Sequence, residues 1–259
     1  MKTRSKPSKR VFVWDLDDTL IWTSWAYSRA FGEFYEYMLQ LYDYRLIELR
    51  TLGTISEDID KNLVKEVNPE TDKPYGYSMH RFPASLVKTY EWLCEHGYAK
   101  YQEAVARRAR VIGMTAFDPL GYKKQGLVKG AEETLDFIKK QGDIQVLVTK
   151  GEQIVQESKI VNTNLDRWFG DNIRIVDTKD TDMFREVQTR FPGSPVFSVG
   201  NSYRSDIVPA LEAGVYGIFI PYYTWLGEKP PGDEEINTVR VFKIDQITDI
   251  IGLYKRGVI

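Results

Sequence analysis

With 259 residues, 42% of them hydrophobic, the chain can bury a substantial apolar core, as one large domain or a core plus an insertion. Its 35 basic and 37 acidic residues are interspersed and leave a net charge of -2, so the global field that marks nucleic-acid binding is missing. A single cysteine, Cys94, excludes an intrachain disulfide framework and points to a reducing compartment, the cytoplasm by default.

The first ten residues, MKTRSKPSKR, are basic and read as a loose solvated tail. The apolar run behind them breaks at Asp15, too early for a signal-peptide core or a membrane span. Residues 11–14, VFVW, lack polar alternation, which is the pattern of a strand covered on both faces. Asp15, Asp17 and Asp18 follow where that strand should stop. Its carboxyl end therefore carries dense negative charge, which wants a cation. In open α/β sheets ligands sit outside the carboxyl ends of strands, so Asp15 and Asp17 stand where chemistry is usually done. Alone, the segment is equally readable as a solvated acidic turn, and the matter rests on what later segments supply.

Residues 21–125 have mostly helical periodicity, over 22–50, near 56–67, at 84–96 and at 100–110. Pro69, Pro74 and Gly76 punctuate the middle, and Pro119, Gly121 and Gly126 mark a return to the core. This is an inserted helical cap. Its aromatic residues, among them Trp22, Trp25, Tyr27, Phe31, Phe34, Tyr35, Tyr37, Tyr42 and Tyr44, are expected to pack a small bundle, leaving a few rings for substrate contact.

Beyond residue 125 strands and helices alternate: helix 131–141, strand 144–148, helix 152–163, strand 173–176, helix 181–190, strand 196–199, helix 205–213 and strand 216–220. Short apolar strands separated by helices indicate a doubly wound parallel sheet, an α/β fold with helices on both faces. Strand 11–14 must belong to it, giving a core of residues 1–20 and 126–259 interrupted by the cap at 21–125. The late PYYTW stretch, 221–225, is read as packing, and KPPGDEE, 229–235, as a solvated turn-rich loop.

Further strands of this sheet end in polar residues: Thr149 after IQVLV, Lys179 a few residues after IRIV, and Asn201 and Asp206 after VFSVG. In a parallel sheet these ends share one edge, so acids, a hydroxyl and an ammonium converge without any special assumption. Thr149 alone is as readily a helix cap as a ligand, and Lys179 alone is a solvated lysine. Together, in this order, they describe a site.

These residues resemble the haloacid dehalogenase superfamily, whose pattern is D-x-D-x-T, then a Thr or Ser, then a Lys, then an acidic segment. The matches are Asp15-Leu16-Asp17-Asp18-Thr19, Thr149, Lys179 and Gly200-Asn201-Ser202-Tyr203-Arg204-Ser205-Asp206. The resemblance implies a Rossmann-like catalytic core with a helical cap inserted after the first motif. It also implies a magnesium-dependent phosphatase that cleaves a phosphomonoester through an aspartyl-phosphate. Asp15 would be the nucleophile, and Asp17 would protonate the leaving oxygen and then deprotonate the attacking water. Magnesium would take the carboxylates of Asp15 and Asp206, the main-chain carbonyl of Asp17 and a phosphate oxygen. Thr149 and Lys179 would bind the transferring group, and Thr19 would serve the phosphate site and support the nucleophile's loop.

Members that cleave carbon–halogen bonds lack the second acid, so Asp17 argues against a dehalogenase. Asn201 stands where an aspartate is often found, which removes a charge near Lys179 and the cation. Asn201 and Lys150 are expected to support the site or touch substrate. Lys179 outranks Lys159, which sits mid-helix, for the phosphate role. The expected partner is a small phosphorylated molecule, with no nucleic acid and no membrane. A phosphotransferase or mutase on the same fold, and a non-catalytic binding module, are the alternatives.

Other chemistries fail by inventory. The two histidines, His80 and His96, are too few and too far apart for a zinc or histidine-phosphatase site. A cysteine-phosphatase loop needs an arginine where Lys100 stands, so Cys94 reads as a buried packing group. No Walker-type phosphate loop occurs.

Overall fold

The computed structural model describes residues 9–42, 47–222, 231–232, 236 and 239–259. The basic tail up to residue 8, Tyr44, residues 223–225 and most of 229–235 lie outside them. In chain order the elements are strand β1 (Val11–Trp14), helices α1 (Thr23–Tyr42) and α2 (Leu49–Leu63), strands β2 (Val67–Asn68) and β3 (Lys73–Pro74), and helices α3 (Arg81–Glu95), α4 (Glu103–Met114), α5 (Pro119–Gln125) and α6 (Ala131–Gln141). Then come β4 (Ile144–Lys150), α7 (Gln153–Asn162), α8 (Asp166–Phe169), β5 (Ile173–Val176), α9 (Thr181–Arg190), β6 (Val196–Gly200), α10 (Val208–Glu212), β7 (Tyr216–Phe219), β8 (Val241–Lys243) and α11 (Asp249–Lys255). They form two compact units: a sheet unit of Met1–Trp22, Gln125–Lys150 and Gln156–Ile259, and a helical unit of Thr23–Lys124 with Gly151–Val155.

The sheet unit carries six strands in the order β5-β4-β1-β6-β7-β8, every neighbouring pair parallel. β1 is central, hydrogen-bonded to β4 on one side and β6 on the other. The chain lays β4 and β5 on one flank and then returns to the opposite flank of β1 with β6. The order of winding therefore reverses at β1, and its carboxyl end lies at the switch point where open α/β sheets bind ligands.

Alternation along β1 feeds two cores. Phe12 and Trp14 enter a cluster with Leu147, Phe197 and Ile218 that is covered by Leu135 and Ile138 of α6 and Ile250 of α11. Val11 and Val13 enter the opposite cluster with Val146, Val148 and Val196, covered by Phe184 and Val187 of α9. All four β1 residues are buried, as an uninterrupted apolar strand requires. The Phe12 ring stacks on Phe197 with centroids 5.4 Å apart.

The helical unit packs around Phe34, Met38, Leu86, Tyr90, Leu93 and Ile112. A Cβ on Gly113 would stand 2.6 Å from the Pro83 Cα, so α4 reaches its present distance from α3 only because glycine lies at the crossing. The periodic stretch 22–50 is broken: α1 ends at Tyr42 and α2 begins at Leu49. Trp22 sits in the sheet unit, where its ring lies 4.5 Å from Tyr222, and Trp25 is half exposed. Cys94 is only partly buried, not the enclosed packing group its surroundings suggested, and burial raises its thiol above the ordinary range. His96 stacks on Trp92. Among the described residues no helix is long and apolar enough to cross a membrane.

Phe12 supports the strand that leads into Asp15 and is fully enclosed. Phe12→Ala should therefore cost about 3–5 kcal/mol of stability, measured as a lower urea midpoint with an unchanged slope.

Candidate active site

Behind β1 the chain wraps around a single carbonyl. The amides of Leu20 and Ile21 donate to Leu16 O at 2.9 and 3.1 Å, and Asp18 N donates to Ile21 O at 2.7 Å. Leu16, Leu20 and Ile21 are sunk in the core and anchor this turn, which turns the intervening polar residues away from it. Asp18 takes a left-handed conformation, φ 59°, which aspartate tolerates better than most residues. The turn brings Thr19 back onto the strand end, where its hydroxyl donates to Asp15 Oδ2 at 2.9 Å. The same hydroxyl lies 3.4 Å from Asn201 Oδ1.

Lys179 follows β5 and precedes Asp180, which caps α9 by accepting from the Met183 amide at 2.9 Å. Its ammonium donates to Asp15 Oδ1 and, at 2.7 Å, to Asp206 Oδ1. Asp206 is delivered by a π-helical turn, Tyr203–Ile207, in which Asp206 N donates to Ser202 O at 2.8 Å and Ser202 N returns a bond to Asp206 Oδ2 at 3.0 Å. Ser198 of β6 donates to the Asp206 carbonyl at 2.7 Å. A Cβ on Gly200 would overlap the Asp206 carboxylate, so glycine at the end of β6 is what admits the acid to the sheet edge.

The structure thus joins Asp15, Thr19, Lys179, Asn201 and Asp206 in one bonded network. Thr149 is on β4 two residues beyond Leu147, the partner of Trp14. Its hydroxyl is fully buried and has no hydrogen-bond partner among the described residues. Lys150 closes β4, and its carbonyl accepts from Gln156 Nε2 at 2.7 Å. Asp17 meets a second cation: Lys159 Nζ donates to its Oδ1 at 2.8 Å, and Gln156 Nε2 to its Oδ2 at 2.9 Å.

Lys159 and Gln156 were not site residues on sequence grounds. A signal exists in their spacing: Gln156, Lys159 and Ile160 stand three and four residues apart and are buried together on one face of α7, where an amphipathic helix should be apolar.

Burial pushes the Asp15 carboxyl up from 3.8 to about 7; Lys179 opposes the shift, and the charges of Asp206 and Asp17 add to it. Burial works against the Lys179 charge, but Asp15 and Asp206 outweigh it and hold the ammonium above its ordinary range. One ammonium shared between two carboxylates leaves the cluster short of positive charge.

Among the described residues no three acid, histidine or cysteine side chains form a ready metal cage. The donors that converge are two carboxylates, Asp15 and Asp206, beside the main chain of the Asp15–Asp17 turn. Such a set suits a hard cation that retains waters, as magnesium does, rather than zinc.

No protein-family model and no curated protein matches the sequence. Solved structures do resemble it. A haloacid dehalogenase-like family hydrolase from Xanthomonas campestris is 24% identical over 96% of both chains, with a TM-score of 0.66. A putative HAD-hydrolase from Bacillus subtilis, described as bound to magnesium, is 16% identical over 95% of this chain and 98% of its own, with a TM-score of 0.59. A 2-haloacid dehalogenase from Pseudomonas syringae is 16% identical over 96% of this chain and 99% of its own, with a TM-score of 0.54. The chain has the α/β fold of haloacid dehalogenase-like hydrolases.

In the folded chain Asp15 keeps its proton up to about pH 7, whereas the unfolded chain releases it near 3.8. Between those values the folded state binds the extra proton, so this group's contribution to stability falls as pH rises from about 4 to 7. In metal-free buffer Asp15→Asn should therefore gain stability relative to the wild type from pH 5 to pH 8, measured as the difference in Tm. A difference independent of pH would show that the carboxyl is not held protonated.

Proposed function

We propose that the chain is a haloacid dehalogenase-like phosphohydrolase of reducing compartments, a magnesium-dependent phosphomonoesterase working through an aspartyl-phosphate. The observation that carries this reading is the pairing of Asp15 with Asp206 through Lys179, with a second acid, Asp17, two residues along the same turn. A packing-only protein has no use for burying three charges so close together. Asp15 and Asp206, with the Asp17 carbonyl, would hold magnesium, which when bound neutralises the repulsion between the nucleophile and a phosphate.

Thr19 and Lys179 fix the rotation of the Asp15 carboxylate, one donor on each oxygen. In the first step an Asp15 oxygen forms a bond to phosphorus while the ester bond breaks, and its electron pair leaves on the ester oxygen. Asp17 gives that oxygen its proton. In the second step water attacks phosphorus, the Asp15–phosphorus bond breaks, and the water's proton passes to the Asp17 carboxylate. Lys179 and the unpaired Thr149 hydroxyl supply donors to the phosphoryl oxygens, where charge develops. Asn201, paired with Thr19, orients that hydroxyl, and Lys150 is a substrate contact.

A halide leaves without a proton, so Asp17 sets this chain apart from a dehalogenase. The helical unit inserted behind the first loop is the cap in this reading and selects the substrate, a small phosphorylated molecule.

With magnesium, purified protein should hydrolyse members of a phosphomonoester panel, and EDTA should abolish turnover. Asp15→Asn should lose about a thousandfold or more in kcat, and Asp17→Asn about a hundredfold or more. No cleavage across the panel, with Asp15→Asn indistinguishable from wild type, would refute the proposal.

A further inference from the structure

The two steps above leave Lys159 and Gln156 without a role, yet both are almost fully buried, 3% and 2% exposed. A lysine ammonium is costly to bury unless it is paired. Lys159 Nζ donates to Asp17 Oδ1 at 2.8 Å, and the Asp17 side chain is 29% exposed. Gln156, three residues earlier on the same face of α7, donates from Nε2 to Asp17 Oδ2 at 2.9 Å and to the Lys150 carbonyl at 2.7 Å. Each carboxylate oxygen thus receives a donor from one rigid helix, and that helix is tied to the last residue of β4, the strand that carries Thr149. Ile160, next to Lys159, is locked in the core and sets the helix rotation.

From this geometry we infer that Lys159 and Gln156 are positioning residues for the proton-transferring acid, fixing the Asp17 carboxyl group in direction and distance relative to the leaving oxygen. The inference rests on the phosphomonoesterase reading and deepens it. With both oxygens accepting donors, the geometry shown is that of the Asp17 carboxylate, the form that takes a proton from water in the second step; the form that gives its proton to the ester oxygen as the phosphorus–oxygen bond breaks is the same group after it has taken up a proton from solvent. Displacing it penalises chemistry in proportion to how much the leaving oxygen needs that proton. An ion pair that only stabilises the fold has no such dependence.

Esters of graded leaving-group basicity separate the two. Lys159→Met should lower kcat about tenfold to a hundredfold for alkyl phosphates and much less for p-nitrophenyl phosphate, with KM nearly unchanged. Lys159→Arg should restore part of the loss. Equal losses for all leaving groups, or full activity in Lys159→Met while Asp17→Asn is impaired, would overturn the inference. Thermal unfolding tests the pairing without turnover. Asp17→Ala should lower Tm by about 5 °C by leaving the lysine unpaired, and adding Lys159→Met should recover most of it. Absence of that recovery would mean the pair is not made and would also overturn the inference. If the wild type cleaves none of the esters, the phosphomonoesterase reading and the proton-transfer role fail together, and the unfolding measurement alone decides the pairing.

Discussion

The ammonium of Lys179, buried between Asp15 and Asp206, is the contact on which the rest of the site depends. Two carboxylates delivered from the carboxyl ends of the neighbouring strands β1 and β6 would repel one another in a space with little water. A single cation joins them, and both acids and the lysine are at most 10% exposed at the side chain. Burial pushes Asp15 up to about 7, Lys179 opposes that shift, and the charges of Asp206 and Asp17 add to it. In the proposed reaction such a site favours the arrival of a further cation, which at Asp15 would draw phosphate oxygens to the same place.

The polar edge is built by local backbone devices. β1 stops at Trp14, and the turn around the Leu16 carbonyl returns Thr19 to Asp15. The cap on α9 fixes the chain just after Lys179, and the π-helical turn behind β6 folds Asp206 over a glycine. The first turn is anchored in the Phe12 and Trp14 core, α9 in the Val11 and Val13 core, and the π-helical turn in a smaller cluster of Ile207 with Phe219 and Val241, so apolar packing is converted into the position of a few oxygen and nitrogen atoms. Asp17 is handled separately. Its carboxylate is paired with its own lysine on α7, so the two acids of the first motif meet different cations.

Much of this is legible in the amino-acid sequence. The uninterrupted VFVW run, the alternation beyond residue 125 and the polar residues closing successive strands placed Asp15, Thr149, Lys179 and Asp206 on one sheet edge, because strand periodicity and parallel topology are written in the order of apolar and polar residues. β2 and β3 escaped because two-residue strands carry no period, and the three residues of β8 are too few to stand out. The break between α1 and α2 escaped because helical spacing persists on both sides of it. Lys159 reads in the sequence as a mid-helix lysine, ranked below Lys179. Its burial depends on which face of α7 meets the core, a tertiary fact that only the polar occupants of an inward stripe betray.

In the proposed reaction Asp15 becomes covalently bonded to phosphorus. Rapid acid quenching of the magnesium-loaded wild type during turnover of a phosphomonoester, followed by peptide mass spectrometry, tests it directly. A phosphoryl group is expected on the peptide containing Asp15, and it should disappear in Asp15→Asn. Turnover with no phosphorylated peptide, or with the group on another residue, would contradict the proposal.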